Sequence, residues 1–481
     1  MTPRLRTLAL LTPLALGGCA IGPDFFRPKV ETPTAFKEID PKLAGEWKQA
    51  AAGNGPSVAA DWWKVFGDPL LNDLIAQVDI NNQNLKIAEA QYRSARPGLD
   101  TARAGYFPSV GSNLSASRGT ASTTAGNGAR PVDNSYALTA SAAWEIDLWG
   151  RIRRSVEAAD AKAEASAADL AAARLSLQAL LTQTYFQLRV ADAQIAVLER
   201  SVAGNQRFLK LTQNRREAGV ASPLDMAQAE TQLGNAQTQL LEVQAQRAQY
   251  EHALATLVGK PPAALSIAAG PLKASIPATP PLIPSTLLEN RPDIIAAERR
   301  VAAANASIGV AKAAFFPVLS LGATAGYRSS SWANLLDLPN RVWSLGPALA
   351  LALFDGGARS AAVKQADAAY DQAVASYRQT VLTAFQEVED NLSNSRQLEQ
   401  EAQTQGAALA AARRAREIAE NQYAAGISSA LNVITAQSAE LSAELSALNI
   451  QGRRLNAVTT LLKNVGDQIW KSAGRVLGTT K

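Results

Sequence analysis

The chain has 481 residues, with 47 Lys and Arg against 42 Asp and Glu, a formal net charge of +5 and only 6% aromatic residues. One cysteine, one histidine and two methionines exclude disulfides and leave too few soft ligands for a metal cluster. Basic and acidic residues alternate, so the sequence carries no nucleic-acid-binding patch, and we find no catalytic constellation or cofactor motif. Abundant alanine with few aromatics favours long, closely packed helices.

The N-terminus is typical of a lipoprotein signal peptide. Arg4 and Arg6 precede an apolar run over residues 8–16, which leads into Gly17-Gly18-Cys19. We therefore predict a signal over residues 1–18 and a lipid-modified N-terminus at Cys19, the alternative being an ordinary signal followed by an incidental cysteine. No later segment reaches the roughly 18 to 20 uninterrupted apolar residues of a spanning helix. Any membrane crossing is therefore expected to be made by strands.

After an extended segment at residues 19–62, the sequence repeats itself with a shift of about 208 residues. The matching stretches are Ala104-Gly105-Tyr106-Phe107-Pro108 with Ala313-Ala314-Phe315-Phe316-Pro317, and Ala218-Gly219-Val220-Ala221-Ser222 with Ala425-Gly426-Ile427-Ser428-Ser429. We predict one duplicated unit with copies at 63–259 and 285–466, a proline-rich linker at 260–284, and a C-terminal tail at 467–481.

Each copy is predicted to contain a helix, two strands, a long helix and a further helix. Apolar and polar residues alternate with a period of two in the strands, predicted at about 108–118, 135–148, 317–328 and 342–354. A soluble antiparallel sheet with one wet face is the alternative. Each run nevertheless has about the 9 to 11 residues that a tilted membrane strand requires.

Four strands cannot close a barrel, and an open sheet edge is not tolerated in lipid because its N–H and C=O groups would lack partners. The chain is therefore expected to form oligomers. Two copies would give an eight-stranded barrel, and three copies a twelve-stranded barrel with room for a lumen.

The helices after the strands are predicted to form two hairpins. Long proline-free helices at about 151–217 and 357–424 would each be on the order of 100 Å long, followed by helices at about 222–258 and 429–464. Their three- and four-residue apolar spacing also fits a plain structural coiled coil. Gly219 and Gly426 are predicted to end the long helices in a left-handed conformation, and Ser222 and Ser429 to cap the next ones.

Several motifs together carry a family resemblance. They are Asp61-Trp62-Trp63, Phe66-Gly67-Asp68-Pro69-Leu70, Asp147-Leu148-Trp149-Gly150-Arg151, Asn290-Arg291-Pro292-Asp293-Ile294 and Ile308-Gly309-Val310-Ala311-Lys312. In order and spacing, the chain resembles the TolC-like outer-membrane efflux factors, in particular the lipoprotein (NodT/OprM-like) branch that serves resistance-nodulation-division pumps. The resemblance covers essentially the whole mature chain.

The resemblance implies a mainly α protein with membrane β-strands. Three copies would form a twelve-stranded transmembrane β-barrel continued by a periplasmic α-helical coiled-coil barrel. It also implies a lipid-anchored outer-membrane location, contact with outer-membrane lipid, no enzymatic activity and no cofactor. The implied partners are an inner-membrane transporter and a periplasmic membrane-fusion adaptor, which would contact the hairpin tips at Gly219, Val220, Ala221, Ser222, Gly426, Ile427, Ser428 and Ser429.

In this family the periplasmic end is closed by residues that must move apart. By position, the gate candidates are Tyr423, Leu431, Thr435, Asp225 and Arg216. Many relatives carry a charged residue where this chain has Thr435, so we expect its gate to depend more on packing at Leu431. For Asp225, stabilisation of the helix start is favoured over gating, because acids at the third helical position cap helices.

The predicted function is a passive exit duct of a tripartite efflux system, of the kind that gives multidrug resistance. Two alternatives remain at this point. A structural envelope lipoprotein could use the coiled coils to tether membranes, although a tether needs no alternating strands. An outer-membrane channel for type I protein secretion would share the same fold. The sequence does not identify the transported substrate.

Overall fold

A computed structural model describes residues 20–33, 35–38, 61–120, 132–273, 276 and 290–465. The predicted signal, Cys19, the C-terminal tail and much of the linker lie outside these residues. The chain divides into two compact units, and each combines segments from both sequence repeats. The first unit comprises Met1–Lys29, Gln91–Ala167 and Ala296–Arg378, and the second comprises Val30–Ala90, Ala168–Ile295 and Gln379–Lys481.

The described residues are mainly helical, with two strands and two long helices from each repeat. The α-helices are α1 Pro69–Asn81, α2 Gln83–Ala104, α3 Arg151–Glu217, α4 Pro223–Leu257, α5 Pro292–Ala313, α6 Ala358–Ala424 and α7 Ala430–Val465. The strands are β1 Ser109–Thr120, β2 Val132–Ile146, β3 Val318–Ser329 and β4 Arg341–Ala350. Short 3-10 helices occur at Trp62–Phe66, Pro262–Ala264 and Leu338–Asn340. None of the described helices is long and apolar enough to pass through a bilayer.

The first unit contains an antiparallel sheet with the strand order β1-β2-β3-β4. The register pairs Leu114 with Leu138, Leu138 with Tyr327, and Tyr327 with Arg341. Because successive side chains point to opposite faces, this pairing aligns the apolar positions of all four strands on one face. That face is exposed in the single chain, with Leu114 at 58% and Trp343 at 73% exposure. In the described sheet, β1 and β4 are the two edges.

Two strand ends differ by three or more residues from the sequence-based boundaries. β2 begins at Val132, three residues before the predicted start, because Val132 to Asn134 still pair with β1. β4 ends at Ala350 instead of near residue 354. The chain turns into α6 soon afterwards, where the Asp355 carboxylate accepts the Gly357 N–H at 3.0 Å. β2 is therefore longer, and β4 shorter, than the alternation of their residues indicates.

Aromatic residues connect the strand ends to the neighbouring helix ends. The Trp144 indole N–H donates to the Tyr106 carbonyl at 2.9 Å, and that of Trp149 donates to the Pro317 carbonyl at 2.7 Å. The Trp149 and Phe316 rings lie 5.0 Å apart. These contacts give the polar ends of both indoles a partner at the points where helix gives way to strand.

The start of the described chain packs on helices of the same unit. Arg154 of α3 pairs with Asp24 at 2.9 Å, and Asn305 of α5 donates to the Pro23 carbonyl at 2.9 Å. A Cβ on Gly22 would lie 2.5 Å from the Cα of Gly309. The two backbones are thus in direct contact, and only glycine fits at that crossing.

The second unit is organised around an aromatic and aliphatic core. Trp62, Trp63 and Phe66 lie buried against α1 and the middle of α3, where the Phe66 and Phe186 rings meet at 4.8 Å. Asp68 begins α1 as its N-cap, accepting the Leu70 N–H at 3.0 Å. The Asp-Pro-Leu turn therefore both starts the helix and positions its apolar face on the core.

A buried charge cluster holds the start of the linker in this unit. The Asp192 carboxylate accepts hydrogen bonds from Arg189 and Arg247, both at 2.9 Å, and from the Gly270 N–H at 3.1 Å. Arg189 also donates to the Ala268 carbonyl at 2.9 Å. The side chain of Asp192 is only 3% exposed. Its charge is therefore stabilised by partners instead of water, which makes the cluster sensitive to loss of any one member.

We expect Asp192→Asn to lower the free energy of unfolding by about 3 kcal/mol or more, because it leaves the buried Arg189 without a carboxylate partner. Arg247 keeps its ion pair with Glu251. The midpoint of thermal unfolding, followed by circular dichroism in detergent, measures this. Asp61→Asn is the matched control, since Asp61 pairs with Lys64 at an exposed position and should change stability by no more than about 0.5 kcal/mol. Equal shifts in both variants would contradict the role of the cluster.

Tyr185, whose hydroxyl accepts a hydrogen bond from Arg189 of this cluster at 3.1 Å, predicts a pH effect. Burial, and the hydrogen bond that its hydroxyl donates to Asp68 at 2.5 Å, raise the pKa of Tyr185 to about 12. An unfolded tyrosine has a pKa of about 10. The folded chain therefore keeps the proton at higher pH, and its stability falls as the pH rises from about 10 through about 12. We expect Tyr185→Phe to lose stability less steeply over that range in thermal unfolding, and an unchanged slope would show that this hydroxyl does not contribute.

Candidate functional site

The first hairpin tip joins α3 to α4 in the second unit. Gly219 has a φ of 73°, and the Val220 N–H donates back to the Arg215 carbonyl at 2.8 Å. Ser222 then caps α4: its hydroxyl accepts the Asp225 N–H at 3.1 Å, and the Asp225 carboxylate accepts the Ser222 N–H at 2.8 Å. The predicted capping by Ser222 and Asp225 is confirmed, and this reciprocal pair fixes a sharp turn.

The second tip, between α6 and α7, uses the same backbone turn, but its polar side chains pair differently. Gly426 has a φ of 79°, and the Ile427 N–H donates to the Gln422 carbonyl at 2.9 Å. The Asn432 side chain donates to the Ser428 hydroxyl at 3.0 Å. A reciprocal carboxylate bond, as in the first hairpin, is not possible with asparagine at this position.

Tyr423 makes a contact between the two hairpins close to their tips. It is 5% exposed, and its ring lies 5.4 Å from the Phe208 ring. The Arg215 guanidinium lies 4.5 Å from the ring centroid and donates to the Tyr423 carbonyl at 2.7 Å. A cation against an aromatic face, combined with a charged hydrogen bond, is a strong contact for so small an area. It joins the end of α3 to the end of α6.

Leu431 and Thr435 lie together on the exposed side of α7. Leu431 is 53% exposed, and the Thr435 hydroxyl donates to the Leu431 carbonyl at 2.8 Å. Val433 points the other way and is fully buried in a small cluster with Phe208 and Tyr423. The helix therefore presents its gate candidates to the open side while Val433 fixes its rotation.

The other two predicted gate residues are placed differently. Asp225 is half-buried, and its carboxylate is bonded within its own hairpin to Ser222. Arg216 is exposed, whereas the neighbouring Arg215 makes the contact with Tyr423. The structure thus brings Tyr423 together with Arg215 and does not bring it together with Asp225.

Ion pairs continue along α6 and α7 away from the tip. Arg416 pairs with Glu420 at 2.7 Å and also contacts Glu440, and Gln437 donates to Glu420 at 2.9 Å. Arg413 pairs with Glu444. These groups are partly exposed, so each pair adds little stability by itself. Their repetition fixes the register of the two helices.

Two important members of this site, Phe208 and Arg215, were not among the sequence-based candidates. They are seven residues apart on α3, so both lie on the face that meets Tyr423. That heptad spacing is the signal that could have found them. In the described residues, no group of three or more His, Cys, Asp or Glu side chains is arranged to hold a metal ion.

Comparison with known proteins identifies the family. The family described as outer membrane efflux protein matches residues 74–260 and 283–467. The chain belongs to this family. The resemblance drawn from the sequence motifs is therefore confirmed, and so is the prediction of an outer-membrane efflux protein. The family is one of transport proteins, and a purely structural tether is set aside.

Individual relatives support this over nearly the full length. The outer membrane protein OprJ of Pseudomonas aeruginosa is 32% identical over 483 residues, covering 96% of each chain. The solved structure of the outer-membrane channel OprN is 32% identical, covers 94% of this chain and 100% of that one, and superposes with a TM-score of 0.85. The open state of the MtrE outer membrane channel of Neisseria gonorrhoeae is 29% identical, covers 93% and 98%, and has a TM-score of 0.79.

We expect Arg215→Met to loosen the second tip of this efflux protein by about 1–2 kcal/mol, because it removes the cation from the Tyr423 ring and a hydrogen bond from its carbonyl. Amide hydrogen exchange of the tip segments should then be roughly tenfold faster, since local opening sets their protection. Arg216→Met is the matched control, with the same change one residue away at an exposed position. Equal acceleration in the two variants would contradict the contact.

Proposed function

We propose that the chain is one protomer of a trimeric outer-membrane channel, the passive exit duct of a tripartite efflux system. The observation that carries this proposal is the exposed apolar face of the four-stranded sheet in a chain of the outer membrane efflux family. An apolar face of this size is unfavourable in water and suits contact with lipid.

The two open edges of the sheet support closure by oligomerisation. β1 and β4 each have one neighbour in the described sheet, so one row of backbone groups on each strand is unpaired. Pairing β4 of one protomer with β1 of the next would satisfy both rows. Three copies give twelve strands and a lumen, whereas two give eight strands with an interior that side chains fill. Transport therefore favours three.

The proposed location combines the barrel with a lipid on Cys19, which would anchor each protomer in the outer membrane. The hairpins would then extend into the periplasm as an α-helical coiled-coil barrel. A duct of this kind performs no reaction and needs no cofactor. A proton-driven inner-membrane transporter of the resistance-nodulation-division class would supply the energy, and small molecules would be the cargo.

The hairpin tips are the proposed contact with a periplasmic membrane-fusion adaptor. Both tips expose an apolar side chain, Val220 at 65% and Ile427 at 79%. The other proposed contact residues are exposed or half-buried: Gly219, Ala221, Ser222, Gly426, Ser428 and Ser429. Exposed apolar residues at sharp, well-capped turns are suited to bind a protein partner without rearrangement.

Gating is proposed to occur where the second hairpin meets the first. Leu431 and Thr435 would narrow the closed end from the exposed side of α7, and Tyr423 would hold α6 against α3 through Arg215. Asp225 and Arg216 remain neighbours of this site, with Asp225 bonded to Ser222. Because Thr435 carries no charge, closure rests on packing and on the single cation-aromatic contact. Opening requires those few contacts to break.

Single-channel conductance in planar bilayers, with oligomeric mass measured on the same detergent-solubilised sample, tests this function. We expect a trimer with small, mostly closed conductance. Leu431→Ser and Tyr423→Ala should raise the open probability several-fold, because each removes an apolar contact from the closed end. Leu241→Ser is the control, as Leu241 is also exposed, at 66%, but lies on α4 away from the tip.

The outcomes separate the parts of the proposal. A monomer or dimer without conductance, even after tip substitution, would overturn the channel. A trimer whose conductance does not respond to either tip variant would support the proposed channel and contradict the proposed gate residues. An equal response to Leu241→Ser would show that the effect is not specific to the tip.

A further inference from the structure

Two arginines lie on the apolar face of the sheet, at the end remote from the helices. Arg118 pairs with Asn134, four residues from the Leu114–Leu138 pair, and Arg341 pairs with Tyr327. Positions four apart on a strand share a face, so both arginines stand on the same side as the apolar residues. Both are exposed, and the described part of the chain records no hydrogen bond or ion pair for either.

This face is positively charged at that end because the acidic residues lie elsewhere. The described strands contain two acidic residues, Asp133 and Glu145. Asp133 pairs with Gly119, and Glu145 pairs with Ser320. Both positions alternate with the apolar ones, so both carboxylates are on the opposite face. The arginines therefore have no counter-charge on their own side of the described sheet.

Their surroundings are typical of a membrane interface. Tyr136 and Trp332 meet edge to face at 5.6 Å near this end, and Trp343 follows two residues after Arg341. Aromatic girdles mark the headgroup level of membrane barrels, and arginine is tolerated on a lipid-facing surface only near that level. The helix-side end of the same face has Trp144 and no arginine within the strands. The charge is thus confined to one leaflet.

We propose that Arg118 and Arg341 bind phosphate groups on the headgroups of outer-leaflet lipids. The inference rests on the proposed function, which puts the apolar face in the membrane and the loops outside. Guanidinium groups bind phosphate through two parallel hydrogen bonds, and their long side chains can reach from the strand to the headgroup level. Trp343, two residues from Arg341 on the same face, would support the acyl side of the lipid.

Closure of the barrel makes this site stronger. β4 of one protomer would pair with β1 of the next, so the strand carrying Arg341 would adjoin the strand carrying Arg118 of its neighbour. Two guanidinium groups on adjoining strands repel each other when no acid lies between them. A lipid phosphate at each seam offsets that repulsion, and it connects two protomers with one ligand.

The test measures lipid retention by native mass spectrometry of the full-length trimer in detergent. The probe is lipid A carrying two phosphate groups, compared with the same lipid A after enzymatic removal of the phosphates. We expect the wild type to prefer the diphosphorylated lipid at least tenfold. The double variant Arg118→Gln/Arg341→Gln should lose most of that preference.

Arg328→Gln is the matched control, because Arg328 is also exposed near the same end but pairs with Ala137 on the opposite face. We expect it to leave the preference unchanged. No preference in the wild type, or equal loss in the control, would overturn the inference. If the double variant fails to assemble, each single variant is measured, and a loss of less than about twofold in both would also overturn it.

Mass and conductance on the same samples distinguish this inference from the proposed function. A conducting trimer that ignores the phosphates would overturn the lipid site alone. A sample that neither conducts nor forms trimers would overturn the channel, and the lipid site with it.

Discussion

Backbone hydrogen bonding at the two edges of the sheet is the constraint from which the rest follows. Four strands in the order β1-β2-β3-β4 leave one row of N–H and C=O groups unpaired on each outer strand. In water such a row is solvated, but in lipid it must find another strand. If the exposed apolar face lies in lipid, as proposed, each edge needs a further strand, and self-association would supply it. The proposed duct, and the closed end proposed at the hairpin tips, would follow from that pairing.

The second unit shows two kinds of contact that differ in how easily they can be broken. Around Asp192, two guanidinium groups and a backbone N–H share one buried carboxylate, and loss of that carboxylate leaves Arg189 buried without a charged partner. At the tip, Tyr423 is held by the ring contact and hydrogen bond of Arg215 and by the Phe208 ring. The first kind holds the start of the linker against α3 and α4. The second is easier to separate, as the proposed gate requires.

Much of the structure could be predicted from the sequence by local rules. The remaining contacts depend on three-dimensional packing. The glycine turns and the Ser222–Asp225 cap follow from backbone conformations that few residues allow. Strand faces follow from alternation. Which of Arg215 and Arg216 meets Tyr423 depends on the rotation of α3, where one residue changes the direction by about 100°. The Asp192 cluster could not be predicted from the sequence either, because the partners of Asp192 come from positions up to 78 residues away.

The crossing of Gly22 and Gly309 has a mechanical consequence. At this point the two backbones touch. Beside it, Asp24 forms an ion pair with Arg154, and the Pro23 carbonyl accepts a hydrogen bond from Asn305. Tension applied at the beginning of the chain would be borne by these contacts and passed into α5, whose end leads directly into β3. If Cys19, three residues before Gly22, carries the proposed acyl group, a load on the periplasmic part of the proposed channel would be shared between the bilayer and the helix and would not fall on the strands alone.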